Sequence, residues 1–304
     1  MSVPRSELIH RKIPRMQMGD GTVFSKTAVP GSAPAGMSSA DRARARFAVT
    51  GNAIVAGGAG DIGLVACRAL LEHGLEGLAI LDLSSQATGD AAAAGLQADF
   101  PAATVIFRRV DVTDADAVSD AVNQAVRALG RITVCCCFAG IVGAEDAIAL
   151  EAAQFRAMLD VNATGTFLVA QAAARAMVSL PEAEFGGGSI ILTASISGHI
   201  VNYPQPQAHY NAAKAAVLSM KSSLAAEWGQ YGIRVNSISP GYMDTILNKG
   251  DGLAEHRKAW AERTPWGRMG DPEELTGAVV LLASRAGSYI TGADIIVDGG
   301  VSVF

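Results

Sequence analysis

The sequence is short of several things, and each shortage narrows what the chain does. No apolar run reaches the roughly 18–20 residues of a membrane-spanning helix, so no membrane partner is expected. Charge of one sign is not in excess: 24 Lys and Arg against 29 Asp and Glu leave a net charge of −5. With no long basic run beyond the N-terminus, nucleic acid is not an expected partner. Aromatic residues make up only 6% of the chain. Cysteine occurs four times, as Cys67, Cys135, Cys136 and Cys137. Three consecutive cysteines do not staple a fold, because successive strand residues face opposite sides. They have no metal-ligand spacing either, so no metal is expected. Buried, reduced thiols in a cytoplasmic protein are the expectation. The N-terminus lacks the apolar segment of a secretory signal, and Glu7, Asp20 and several prolines argue against a transit peptide.

What the chain has is length, apolar residues and glycine. Its 304 residues, half of them apolar and 33 of them Gly, suffice for one large α/β domain. Residues 1–46 are rich in Arg, Lys, Pro, Ser and Met without sustained periodicity, and read as an N-terminal extension. Residues 47–304 form the domain. Apolar strands are expected at Ala53–Ala56, Leu78–Leu81, Thr104–Val110, Thr133–Phe138, Ser189–Thr193, Val235–Ile238 and Ile295–Val297. Between them the periodicity predicts helices over Ile62–His73, Ala87–Phe100, Asp114–Leu129, Gln154–Val178, Tyr210–Gln230 and Glu273–Ser284. Strands that are apolar throughout and alternate with helices argue an α/β fold, a doubly wound parallel sheet covered on both faces.

Two stretches carry chemistry. The first, AGGAGDIG at Ala56–Gly63, follows a strand and opens a helix. Glycines there let the backbone approach a pyrophosphate, and the helix N-terminus supplies free N–H groups. Asp82, at the end of the second strand, is placed to accept hydrogen bonds from ribose hydroxyls and to repel a 2′-phosphate. The second stretch holds Ser195, Ser197 and Gly198, then Tyr210 and Lys214. Four residues apart on a helix, Tyr210 and Lys214 share a face. A nearby positive charge favours phenolate, so the lysine is expected to lower the phenol pKa from about 10 and fit Tyr210 for proton transfer.

Tyr-x-x-x-Lys preceded by Ser-x-x-Gly resembles the active-site segment of the classical short-chain dehydrogenase/reductase family. The loop wording SxSGHIVNxPQPQ is closest to its sorbose reductase, arabinitol and mannitol dehydrogenase branch. The resemblance covers about Ala48 to Gly300. It implies a single Rossmann-type domain, a nicotinamide cofactor and a homo-oligomer, a tetramer or dimer. It also implies that Ser195 holds the substrate oxygen, Tyr210 exchanges the proton, and Lys214 binds the nicotinamide ribose. Asn162, in LDVNATGTF, matches the helix asparagine of the proton relay. Ser197 remains open as the alternative to Ser195.

For the cofactor, the resemblance implies contacts from Gly57, Gly60, Asp61, Ile62, Gly63, Asp82, Leu83, Asp111, Val112, Ala139, Gly140, Tyr210, Lys214, Pro240, Gly241, Met243 and Thr245. With Asp82 followed by Leu83, NAD is expected in preference to NADP. The family pattern is broken three times. Ala56 stands for Thr, Asp61 stands for a glycine beside the pyrophosphate, and Phe138 stands for an asparagine. These breaks keep open a second reading, a nucleotide-binding scaffold without redox turnover.

The expected reaction is hydride transfer between the nicotinamide and a small-molecule secondary alcohol or ketone. Asn202, Tyr203, Gln205, Gln207 and two histidines between His199 and His209 suit a polyol or ketose. Residues 246–268, with Trp260 and Trp266, read as a mobile lid and lean toward a bulkier ketone of secondary metabolism.

Overall fold

The computed structural model describes residues 13–22, 25–29, 31, 36–179 and 187–304. Seven parallel strands form one sheet: β1 (Asn52–Ala56), β2 (Gly77–Asp82), β3 (Thr104–Arg109), β4 (Ile132–Cys137), β5 (Gly188–Thr193), β6 (Ile233–Pro240) and β7 (Asp294–Val297). Their order is β3-β2-β1-β4-β5-β6-β7. The chain winds outward from β1 to the β3 edge, crosses back to β4 beside β1, and winds outward again to the β7 edge. β1 and β4 therefore meet at the reversal point, where ligands of such sheets bind at the carboxyl ends.

The helices are α1 (Ser39–Phe47), α2 (Asp61–Glu72), α3 (Gln86–Asp99), α4 (Ala115–Leu129), α5 (Ala152–Leu159), α6 (Thr166–Val178), α7 (Ala208–Trp228), α8 (Ala254–Arg263) and α9 (Thr276–Ala283). Two cores sandwich the sheet. One gathers Val118 and Val122 of α4, Val169 and Met177 of α6 and Val217 of α7. The other gathers Leu70 of α2, Leu96 of α3 and Leu282 of α9. The three cysteines of β4 divide as a strand requires: Cys135 and Cys137 enter the first core and Cys136 the second. All four thiols are free and buried. Leu70 is fully buried, and truncation to Ala would cost about 3 kcal/mol.

Two expectations are corrected. The helix expected over Gln154–Val178 is interrupted by a π-helical turn at Asp160–Gly165 between α5 and α6. Such turns add one residue to an α-helix and frequently mark functional sites. Within the extension, α1 forms where no periodicity is visible. It has no buried residue; Ser38 caps it, accepting from the Asp41 N–H at 3.1 Å. Residues 1–12, 23–24, 30 and 32–35 of the extension lie outside the described residues. Among the described residues no helix is long and apolar enough to cross a membrane.

Candidate active site

The glycine turn between β1 and α2 lies against β4. Gly57 has φ 75°, and a Cβ on it would stand 2.4 Å from the Ala139 backbone nitrogen. A Cβ on Gly63 would stand 2.1 Å from the Gly57 oxygen. Neither position accepts a side chain, so the sequence keeps both as glycine. Gly60 caps α2 without a side-chain bond, which leaves first-turn N–H groups for a ligand. The turn borders a cleft of about 650 Å³, lined also by Ile62, Asp82, Leu83, Asp111, Val112, Ala139, Gly140 and Thr245.

Asp82 Oδ2 accepts from the Ala59 N–H at 3.1 Å and Oδ1 from the Ser84 N–H at 2.9 Å, which fixes the carboxylate at the cleft. The backbone N–H and hydroxyl of Thr113 hold the Asp111 carboxyl below its ordinary range. A glycine cradle, an uncapped helix end and a fixed carboxylate fit a dinucleotide. Asp61 turns toward the far wall, where its Oδ2 accepts from the Ile246 N–H at 2.6 Å. Phe138 packs against the α2 core, giving apolar contact where an asparagine would give hydrogen bonds.

α7 begins at Ala208, two residues before the expected start, so Tyr210 sits in its first turn. Lys214 follows one turn on, with its Nζ 5.6 Å from the Tyr210 ring centroid. The lysine is buried and donates to the Thr193 carbonyl at 2.9 Å. Burial lowers its pKa to about 8. Tyr210 moves against the expectation. Burial pushes the phenol up to about 12, and a hydrogen bond with Ser195 only partly offsets this. Loss of hydration sets the direction of the shift, and Tyr210 holds its proton at neutral pH.

Ser195 ends the extended segment after β5 and caps a 3₁₀ turn. Its Oγ accepts from the Ser197 N–H at 3.1 Å and donates to the Ser197 Oγ at 3.1 Å. The two serines thus act as a linked pair, with Ser195 toward Tyr210. Asn162 lies in the π-helical turn, fully buried. Its Nδ2 donates to the carbonyls of Ile141 and Met158 at 2.9 and 3.1 Å. Its Oδ1 is buried without a partner. Oδ1 and Lys214 Nζ lie 2.7 and 3.7 Å from where a Cβ on Gly140 would sit, so both converge on one point beside the cleft.

A second cavity of about 320 Å³ holds Ser195, Tyr210 and Gly241 in its wall. Its cover comes from residues 247–260, including Leu253, His256 and Trp260. Pro240 ends β6, directly before the cavity-lining Gly241. An expected cofactor contact, Met243, and an expected lid residue, Trp266, line neither cavity described above. Met243 pairs with Gly270 and borders a separate cavity of about 510 Å³, not the cleft. Trp266 does not cover the site: it is 68% exposed, with Arg268 stacked over it. Sequence reasoning passed over Tyr242, which stacks on Trp260 at 4.7 Å and 7° inside the second cavity. The signal was its place directly after Pro240-Gly241.

Known proteins match this arrangement. A family model described as "Enoyl-(Acyl carrier protein) reductase" matches residues 57–302. The galactitol 2-dehydrogenase (L-tagatose-forming) of Cereibacter sphaeroides is 39% identical over 83% of this chain and 95% of its own length. The NADP-dependent mannitol dehydrogenase of Hypocrea jecorina is 36% identical over 88% of this chain and 98% of its own. A crystal structure of a short-chain type dehydrogenase/reductase from Mycobacterium marinum superimposes with a TM-score of 0.76 at 40% identity. It covers 84% of this chain and 97% of its own.

Proposed function

Because this chain belongs to the short-chain dehydrogenase/reductase family and is a nicotinamide-dependent oxidoreductase of CH–OH groups, we propose that it interconverts a polyol and its ketose, with NAD as the preferred cofactor. The observation that carries the reading is the second cavity. Its wall places Ser195 and Tyr210 among Asn202, Gln205, Gln207 and Tyr242, a density of hydrogen-bonding groups suited to a polyhydroxylated chain. The relatives named for galactitol and mannitol dehydrogenation point the same way.

In the proposed mechanism Ser195 holds the substrate oxygen beside Tyr210. The bound nicotinamide supplies or accepts the hydride. In reduction Tyr210 gives its phenolic proton to the forming alkoxide; in oxidation it takes the hydroxyl proton. Lys214, anchored on the Thr193 carbonyl with its Nζ next to the cleft-lining Gly140, keeps two N–H donors for a ribose hydroxyl. Asn162 Oδ1 extends the polar path behind it. The preference for NAD is supported by Asp82, whose carboxylate opposes a 2′-phosphate, and by a cleft lining without Lys or Arg among the described residues.

We read residues 1–46 as an extension to a domain spanning 47–304, in keeping with a family match that starts at residue 57. Exposed Ile296, Val303 and Phe304 beside the β7 edge support a homo-oligomer, a tetramer or dimer. Four buried, unpaired thiols support a cytoplasmic location.

The test is a screen of NAD and NADP against sugar alcohols, and of the reduced cofactors against ketoses and bulkier ketones. Turnover of a sugar alcohol with NAD is the expected result. Turnover confined to bulky ketones would overturn the polyol reading.

A further inference from the structure

We propose that Tyr242 determines specificity by donating its phenolic proton to a substrate oxygen away from the reacting carbon. The inference rests on the polyol reading and sharpens it. It starts from Trp260, whose indole N–H donates and never accepts. That N–H donates to Gln205 Oε1 at 2.9 Å. The Gln205 amide is thereby fixed, carbonyl toward Trp260 and NH₂ toward Tyr242. Its Nε2 donates to the Tyr242 oxygen at 3.3 Å. Asn202 Nδ2 donates to the same oxygen at 3.0 Å, while Asn202 Oδ1 accepts from Gln207 Nε2 at 3.0 Å.

Two amide donors occupy the phenol oxygen, so the O–H proton is what Tyr242 has left to offer. Neither amide takes it, since both face the oxygen with N–H groups. The stack on Trp260 fixes the ring plane. The cavity that Tyr242 shares with Ser195 and Tyr210 is where an acceptor enters. A hydroxyl or carbonyl oxygen along a polyol or ketose accepts that proton. A ketone with no second oxygen displaces water from that half-buried donor without replacing its hydrogen bond, which is unfavourable. The site thus selects a second oxygen as well as the reacting one.

Steady-state kinetics with saturating dinucleotide test this on wild type, Tyr242→Phe and Gln205→Glu. Substrates are a hexitol and a series of its deoxy analogues, each lacking one hydroxyl. Tyr242→Phe should raise KM for the hexitol about tenfold, with kcat within about threefold of wild type. For one deoxy analogue, the one lacking the recognised hydroxyl, the substitution should change KM less than about twofold. Gln205→Glu keeps the shape but presents acceptors to both Trp260 and Tyr242. It claims the phenolic proton and should raise KM by a similar factor. Unchanged dinucleotide affinity shows that each variant is folded; if Tyr242→Phe does not fold, Gln205→Glu decides alone. KM unchanged in Gln205→Glu overturns the inference, as does a loss in Tyr242→Phe that is equal for every analogue. Absence of hexitol turnover by wild type would instead sink the polyol reading on which the inference stands.

Discussion

The carboxylate of Asp61, at the first position of α2, accepts a hydrogen bond from the Ile246 N–H at 2.6 Å. This bond ties the glycine turn to the start of the segment that covers the active site. It also leaves a negative charge at a helix end that the proposed pyrophosphate would share. Asp61→Asn keeps an acceptor for Ile246 and removes the charge. Dinucleotide affinity should rise about three- to tenfold at low salt, and the gain should shrink as salt is added. Fluorescence titration with reduced dinucleotide reads this out. An affinity unchanged at every salt concentration would show that the charge is not felt where the cofactor binds.

Asp82 should govern the choice between the two dinucleotides. Its carboxylate is pinned at the cleft by the N–H groups of Ala59 and Ser84. Asp82→Asn keeps much of that geometry and removes the repulsion of a 2′-phosphate. The ratio of kcat/KM for NAD over NADP should fall about tenfold or more. A ratio that stays constant would remove Asp82 from the discrimination.

Lys214 should cost stability at neutral pH. Its pKa is lowered from 10.5 to about 8 by burial. Between those values the unfolded chain binds more protons than the folded one, so stability rises with pH across that window. Below about pH 8 the cost is present in full. Lys214→Met should therefore stabilise the fold at pH 7 by about 2 kcal/mol while abolishing activity. Tyr210 carries the opposite sign. Raised from 10 to about 12, it contributes stability below pH 10 that is lost as pH climbs to 12. Denaturant unfolding of wild type and Lys214→Met across pH checks both. A destabilised Lys214→Met would mean that the bond to Thr193 outweighs the buried charge.

Gly63 should tolerate no side chain. A Cβ there meets the Gly57 carbonyl oxygen at 2.1 Å, and backbone has little room to yield. Gly63→Ala should lose about 2 kcal/mol or more of stability together with dinucleotide binding. The control is Gly60→Ala, whose Cβ meets nothing nearer than 3.5 Å and should fold normally.

The sheet was legible because most of its strands carry a short apolar run, such as Ala53–Ala56, Leu78–Leu81 and Ile190–Leu192, and helix-ending glycines separate several of them from the preceding helix. Gly130, for example, ends α4 at φ 80°. The order of Asp82, Asn162, Ser195, Tyr210 and Lys214 was legible for a related reason: each lies at a strand end or on a helix that local pattern locates. The π-helical turn was not. Residues 154–178 carry one continuous helical pattern, and a single extra residue within it leaves no mark in composition. α1 was missed because it buries nothing and so shows no apolar face. The direction of the Tyr210 shift was missed because spacing reports a neighbouring charge but not the loss of water around the phenol. Tyr242 was missed because the partners of its oxygen, Asn202 and Gln205, are fixed by contacts 37 or more residues away in sequence.

The central claim is that this site transfers hydride between nicotinamide and a polyol, with Tyr210 exchanging the proton. The most direct measurement is the initial rate of NAD reduction with a sugar alcohol, for wild type and Tyr210→Phe, beside the dinucleotide affinity of each. Wild type should turn over. Tyr210→Phe should bind dinucleotide within about threefold of wild type and lose at least about a hundredfold in kcat. A Tyr210→Phe enzyme with near wild-type kcat would contradict the account.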